Sequence, residues 1–174
     1  RPDQRSEERP DVAALGKLPQ PSGDLESLVF HPGKAVGQSH EGHPDVAIWL
    51  ARHRNGAWDE PVVVADEPGV SHYNPLLFRD RAGRLWLFYK IGVSVPTWTG
   101  MYRRSQDGGQ SWSEPVMLPA GLIGPAKNKP ITLSDGSVLA GASTESTEQP
   151  STWRVHFERT ADNGRTWTAT SPLP

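Results

Sequence analysis

Three tryptophans, Trp58, Trp112 and Trp167, stand 54 and 55 residues apart. A recurrence at a fixed period of this order marks a chain built from structural repeats, such as a solenoid or a propeller. Around the second tryptophan the sequence reads Ser105-Gln-Asp107-Gly-Gly109-Gln-Ser111-Trp112, and around the third Thr160-Ala-Asp162-Asn-Gly164-Arg-Thr166-Trp167. Both fit Ser/Thr-x-Asp-x-Gly-x-Ser/Thr-Trp; the first copy, Arg54 to Trp58, is shorter and carries no Asp. The chemistry is that of a turn. Asp107 and Asp162 are expected to accept hydrogen bonds from backbone N–H groups ahead of them, and Gly109 and Gly164 to take positive φ. The hydroxyls close the turn while Trp112 and Trp167 bury their rings against the sheet. These residues are therefore expected to shape turns rather than to catalyse.

The flanks repeat as well. Strand-like runs at 46–50, 101–104 and 155–159 precede the three turns, and 74–79 matches 129–134 at a spacing of 55 residues. Each of the latter leads through a turn into a second strand, 85–89 or 138–142. Strand, turn, strand, loop, strand, Asp turn, strand is the plan of one four-stranded propeller blade. The predicted fold is thus an all-β propeller of two and a half to three blades. A polar, Pro-rich lead (1–25) precedes an incomplete blade (about 26–66) and two full ones (about 70–119 and 125–174).

Composition narrows the function. Eighteen basic and twenty acidic side chains give a net charge of −2 with no basic stripe, so nucleic acid is not an expected partner. No apolar run approaches the roughly 18 residues of a membrane span. Cysteine is absent, which excludes disulfides, thiolate zinc sites and cysteine nucleophiles. His40-Glu-Gly-His43 lacks the His-Glu-x-x-His spacing, so neither metal nor cofactor is expected. The chain opens without Met or an apolar leader, as a mature or trimmed product would, and its compartment (bacterial cytoplasm, periplasm or outside) stays open.

The two Asp motifs resemble the Asp-box (BNR) repeats of sialidases. Together with Glu41-Gly-His-Pro-Asp45 through Trp49, Asn74-Pro75, Leu87 to Lys90, Lys127 to Pro130 and Trp153 to Glu158, they are similar to the bacterial sialidase-like BNR proteins known as predicted neuraminidases. That resemblance covers about residues 41–174. It implies a propeller that is six-bladed and about twice this length when complete, and an exo-acting glycosidase on terminal acidic or deoxy sugars. The Arg-Ile-Pro motif of true sialidases does not occur, and Tyr73, Tyr89 and Tyr102 match no nucleophile motif. A non-catalytic carbohydrate-binding propeller, or a fragment inactive without its other half, are the alternatives. An open half-ring leaves sheet faces uncovered, so pairing with the missing half or with a second copy is expected.

Blade topology puts the starts of first strands and the loops between second and third strands on one face, opposite the Asp turns. His72, Tyr73, Asn74, Lys127, Asn128 and Lys129 fall there, with Glu41, His43, Asp45, Lys90, Trp98, Glu145, Trp153 and Arg154. Glycoside chemistry needs a carboxylic acid at the leaving oxygen and a second group as nucleophile or base. Glu41 and Asp45 are the candidate acids, since the resemblance implies that their loop is where sialidases place the acid/base Asp, and His156 is a third catalytic candidate. Asn74, Lys90, Trp98, Lys127, Lys129, Glu145 and Arg154 are the candidate substrate-binding residues. Lys127 and Lys129, alternating on a strand, should point the same way. Arg154, His156 and Glu158 share one strand face, which is either catalytic or a polar network between blades.

Overall fold

The computed structural model describes residues 25–31, 42–44, 46–54 and 57–174, with strand β1 described by its backbone. The lead at 1–24 and the two candidate acids, Glu41 and Asp45, lie outside the described residues.

Three antiparallel sheets follow one another along the chain. The first holds β1 (Leu25–His31), β2 (Ala47–Arg54), β3 (Ala57–Trp58) and β4 (Val62–Ala65), with β1, β3 and β4 all pairing β2. The second is a meander of β5 (His72–Arg79), β6 (Leu85–Ile91), β7 (Thr99–Ser105) and β8 (Val116–Met117). In the third, β9 (Ile131–Thr132), β10 (Val138–Glu145), β11 (Trp153–Thr160) and β12 (Thr168–Ala169) repeat the same order. These are blades of a β-propeller. The first sheet has no counterpart of β5 or β9 among the described residues.

The middle sheet is covered on both faces, and its sequence says why. In β6 the run Leu85-Trp-Leu-Phe-Tyr-Lys90 is wholly buried, as a strand packed on both sides should be. Alternation splits it. Leu87 and Tyr89 join Ile48, Leu50, Val64 and Ala65 of the first sheet in one core, together with Leu77 and Met101. Trp86 and Phe88 face the other way and pack with Leu76, Phe78, Tyr102, Leu118 and Val138. Burying each such large side chain contributes about 1.5–3 kcal/mol. Lys90 shares the parity of Trp86 and Phe88, so the third sheet's side receives an amine.

The Asp turns join neighbouring blades. Asp107 Oδ1 accepts the Ser111 N–H at 2.9 Å, and Ser105 Oγ accepts the Gly109 N–H at 2.8 Å. The third blade repeats this: Asp162 Oδ1 accepts Thr166 N–H and Thr160 Oγ1 accepts Gly164 N–H, each at 2.8 Å. Hydrogen bonds from Ser111 and Thr166 hold the Asp107 and Asp162 carboxyls below the usual range. Gly109 and Gly164 have φ of 82° and 84°. An arginine of the preceding blade then reaches each turn, Arg52 to the Gly109 carbonyl and Arg104 to the Asn163 carbonyl. Trp112 and Trp167 pack at the edges of the two cores.

Candidate functional site

The cleft is built where three connections meet. β5 carries a bulge: its register with β6 shifts between Tyr73 and Leu76, and Asn74 sits at φ 47°. Asn tolerates the left-handed region better than other side chains, and Pro75 has no N–H to give to the ladder, so Asn74-Pro75 is a natural place to break it. The bulge brings Asn74 to the end of the sheet where Lys90, the next-to-last residue of β6, lies. Beyond β6 a 3-10 turn (Val95–Thr97) delivers Trp98, whose ring packs on the buried Tyr73 at 4.7 Å between centroids. From the next connection come Ile123, Ala126, Lys127 and Asn128. Gly141, Ala142 and Ser143 of β10, with Trp153, Val155 and Phe157 of β11, complete a cleft of about 610 Å³. Among the described residues lining it, Lys90 and Lys127 are the charged ones.

Lys90 lies fully buried and donates to the Pro125 carbonyl at 2.9 Å. Burial pushes its amine down to about 7, against the pull of the Glu158 carboxylate. Lys127 and Asn128 are exposed at the rim. Trp153 is 57% exposed there and presents a free indole.

Two carboxylate networks flank Lys90, one at each blade junction, that of Glu158 buried and that of Glu67 partly exposed. Glu158 accepts the N–H groups of Ile123 and Gly124, both at 2.8 Å, and bonds His156 Nε2 at 3.0 Å. On the other side of β6, Tyr89 donates to Glu67 Oε1 at 2.8 Å, and the second Glu67 oxygen meets His72 Nε2. His72 Nδ1 donates to the Val46 carbonyl at 2.8 Å. Desolvation works to raise the Glu67 pKa, but the bonds from His72 and Tyr89 outweigh it and hold the carboxyl below its usual value. A carboxylate with a depressed folded-state pKa stabilises above its unfolded pKa, and that stability is lost as pH falls through the folded value. Tyr89→Phe is therefore expected to melt lower than the parent at pH 7, with the gap narrowing as pH falls through the lowered folded value of Glu67. Thermal melts at pH 7 and 3.5 read the difference, and a gap that does not narrow would refute the assignment.

The BNR repeat-like domain family matches residues 33–173, nearly all of the described chain. The chain belongs to that family. No curated protein matches this BNR chain. Among solved structures, a Dyadobacter fermentans protein of unknown function superposes with a TM-score of 0.71 at 16% identity, over 87% of this chain and 51% of that one. The Hadza microbial sialidase Hz136 gives 0.69 at 17%, covering 92% and 37%. Penicillium chrysogenum α-L-arabinanase, in complex with arabinobiose, gives 0.63 at 15%, covering 91% and 49%. These likenesses establish the fold. The BNR chain spans about half or less of the length of those structures.

Of the residues singled out from sequence, the cleft gathers Asn74, Lys90, Trp98 and Lys127, together with Asn128 and Trp153. Lys129, Glu145, Arg154 and His156 are not among its lining. Lys127 and Lys129 do not alternate on a strand, because β9 begins at Ile131 and the residues before it form a bend. His156 faces the second blade with Glu158, whereas Arg154 on the same strand is exposed. Glu67 was missed by sequence reasoning, since nothing in Asp66-Glu-Pro-Gly69 distinguishes it from a solvated turn. Among the described residues, no cluster of three or more His, Asp or Glu stands ready to hold a metal ion.

Proposed function

We propose that this chain is the sugar-binding part of a sialidase-like exo-glycoside hydrolase, and that its cleft takes the acidic end of a glycan. One observation carries the reading: two lysines, two asparagine amides and two tryptophans converge on one sugar-sized cleft. Lysine ammonium groups pair with a sugar carboxylate, amides take hydroxyls, and the indole rings of Trp98 and Trp153 offer flat apolar surface to the C–H face of a ring. The sialidase and arabinanase that share this fold support a carbohydrate ligand. Glu41 or Asp45 would protonate the leaving glycosidic oxygen.

Calorimetric titration with N-acetylneuraminic acid, glucuronic acid and galactose tests the reading. The two acids are expected to bind and galactose to bind at least about 10-fold more weakly, since a charge-assisted contact is worth about 1.5–3 kcal/mol. Lys127→Ala should remove most of that preference. Equal affinity for all three sugars would overturn the proposal.

The described lining holds cations and no carboxylate, which favours as second reading a propeller that binds acidic glycans without cleaving them. Fluorogenic sialosides and glucuronides separate the two. Turnover that Glu41→Gln or Asp45→Asn abolishes would support hydrolysis, and binding without turnover the second reading.

A further inference from the structure

The two full blades differ in their first strands. β5 pairs β6 from His72 to Arg79, but its counterpart β9 pairs β10 only at Val138 and Leu139. Beyond Leu139, no strand among the described residues covers the inner edge of β10. The parity of the ladder tells which groups point there. The Ser137 carbonyl accepts from Leu133 N–H at 2.8 Å on the β9 side, whereas Ser146 N–H donates to Thr152 on the β11 side. In an antiparallel ladder alternate residues send both backbone groups to the same edge. Gly141 and Ser143 therefore present N–H and C=O to the inner edge, and both line the cleft.

Something must hold the preceding segment away from that edge. Glu158 clamps the amides of Ile123 and Gly124, while Lys90 holds the Pro125 carbonyl. Gly124 is a requirement of this path: its φ is 69°, and a Cβ there would meet Leu118 Cδ1 at 2.9 Å. The chain is thus pinned at three consecutive residues just before it would otherwise join the sheet.

We propose that the free edge at Gly141 and Ser143 is a binding subsite for the hydroxyl groups of a sugar ring, kept open by Glu158 as a positioning residue. This rests on the reading of the cleft as an acidic-sugar site and adds what that site recognises besides charge. A hydroxyl both donates and accepts, so it matches a residue that offers N–H and C=O side by side. Val155, Phe157 and Trp153 stand on the same wall and suit the apolar face of the ring. An extended peptide is the rival occupant of a sheet edge, but the free stretch within the cleft amounts to two residues of the inner edge, with the cation of Lys127 at the rim.

The test compares glucuronic acid with acetate, a carboxylate that has no ring. On the parent chain glucuronate is expected to bind at least about 10-fold tighter than acetate, one net hydrogen bond being worth roughly that factor. It should also slow hydrogen exchange at the Gly141 and Ser143 amides. Gly141→Leu is a filling variant with room on the Phe157 side, where the nearest heavy atom to a new Cβ is 4.0 Å away. It should keep its fold and acetate binding and lose the glucuronate advantage. Glu158→Gln should lose that advantage and the amide protection too, although a purely structural role would lower its melting temperature alone. If neither acid binds the parent, the reading of the cleft fails. If glucuronate binds parent and both variants alike, or an extended peptide rather than the sugar protects the two amides, the subsite fails while the cleft stands.

Discussion

Lys90→Met is expected to fold, to lose acidic-sugar binding, and to lose the pH dependence of stability expected of the parent between pH 7 and 10. Methionine is unbranched and close to lysine in length, so it fills the space between Phe88, Leu118 and Gly124 without a cavity. The binding loss follows from removing the buried cation at the base of the cleft and the donor that holds Pro125. Charge-assisted contacts of about 1.5–3 kcal/mol put it at roughly 10- to 100-fold. The sign of the pH effect follows from burial, which lowers the amine to about 7 in the folded state from an ordinary 10.5. Between those values the unfolded chain binds the extra proton, so folding becomes more favourable as pH rises. An anion in the cleft would draw that proton back, and affinity for an acidic sugar should accordingly fall from pH 6 to 9 in the parent. Melts at pH 7 and 9.5, and titrations at pH 6 and 9, read both effects. A Lys90→Met chain with the parent's slopes would show that this amine is neither buried nor in use.

Tyr89 and Lys90 show how much two adjacent residues can settle. In sequence they are the polar end of an apolar strand, and the unusual placement of Lys90 marks it for function. What sequence cannot say is where each points and to whom. Tyr89 turns to the first blade and Glu67; Lys90 turns to the third and Pro125. These partners lie 22 and 35 residues away, in connections whose local sequence gives no hint of the bond.

The Asp turns are the opposite case. The bonds internal to each turn run between residues two to four apart, so Ser105 to Ser111 and Thr160 to Thr166 can be read directly, whereas the arginines that reach them from the preceding blade cannot. The matching of Lys129 to Asn74 is legible in the same way, yet it misplaces a strand. Repeat spacing aligns 129–134 with 74–79, but Glu158 and Lys90 draw the third blade's entry off the sheet until Ile131. A clamp from residues far along the chain overrides local propensity there, and the departure from the repeat opens the cleft.

Trp86→Ala should cost about 3–5 kcal/mol, the range for emptying a buried aromatic site. The ring is fully buried, stacks within 10° of parallel on Phe88, and lies 5.3 Å from Tyr102 between centroids. Its Nε1 donates to Asp80 Oδ2 at 3.0 Å, and that carboxylate also organises the Asp80–Arg84 turn through the Ala82 and Arg84 amides. From the third blade, the Gly164 turn closes over the ring so tightly that a Cβ there would come within 3.1 Å of it. Arg104 lies over its face at 5.3 Å while reaching the Asn163 carbonyl. Truncation therefore removes packing from both blades at once and takes a donor from a buried acid. Against a total stability of about 5–15 kcal/mol, that is a large share. Trp86→Phe keeps most of the volume and gives up the bond to Asp80, so it should cost nearer about 1–3 kcal/mol. Urea unfolding followed by tryptophan fluorescence measures both. Because Trp86 and Lys90 face the same junction, the alanine variant should also weaken acidic-sugar binding in whatever fraction stays folded, and the phenylalanine variant should not. An alanine cost under about 1 kcal/mol would mean that the second and third blades do not share the core described here.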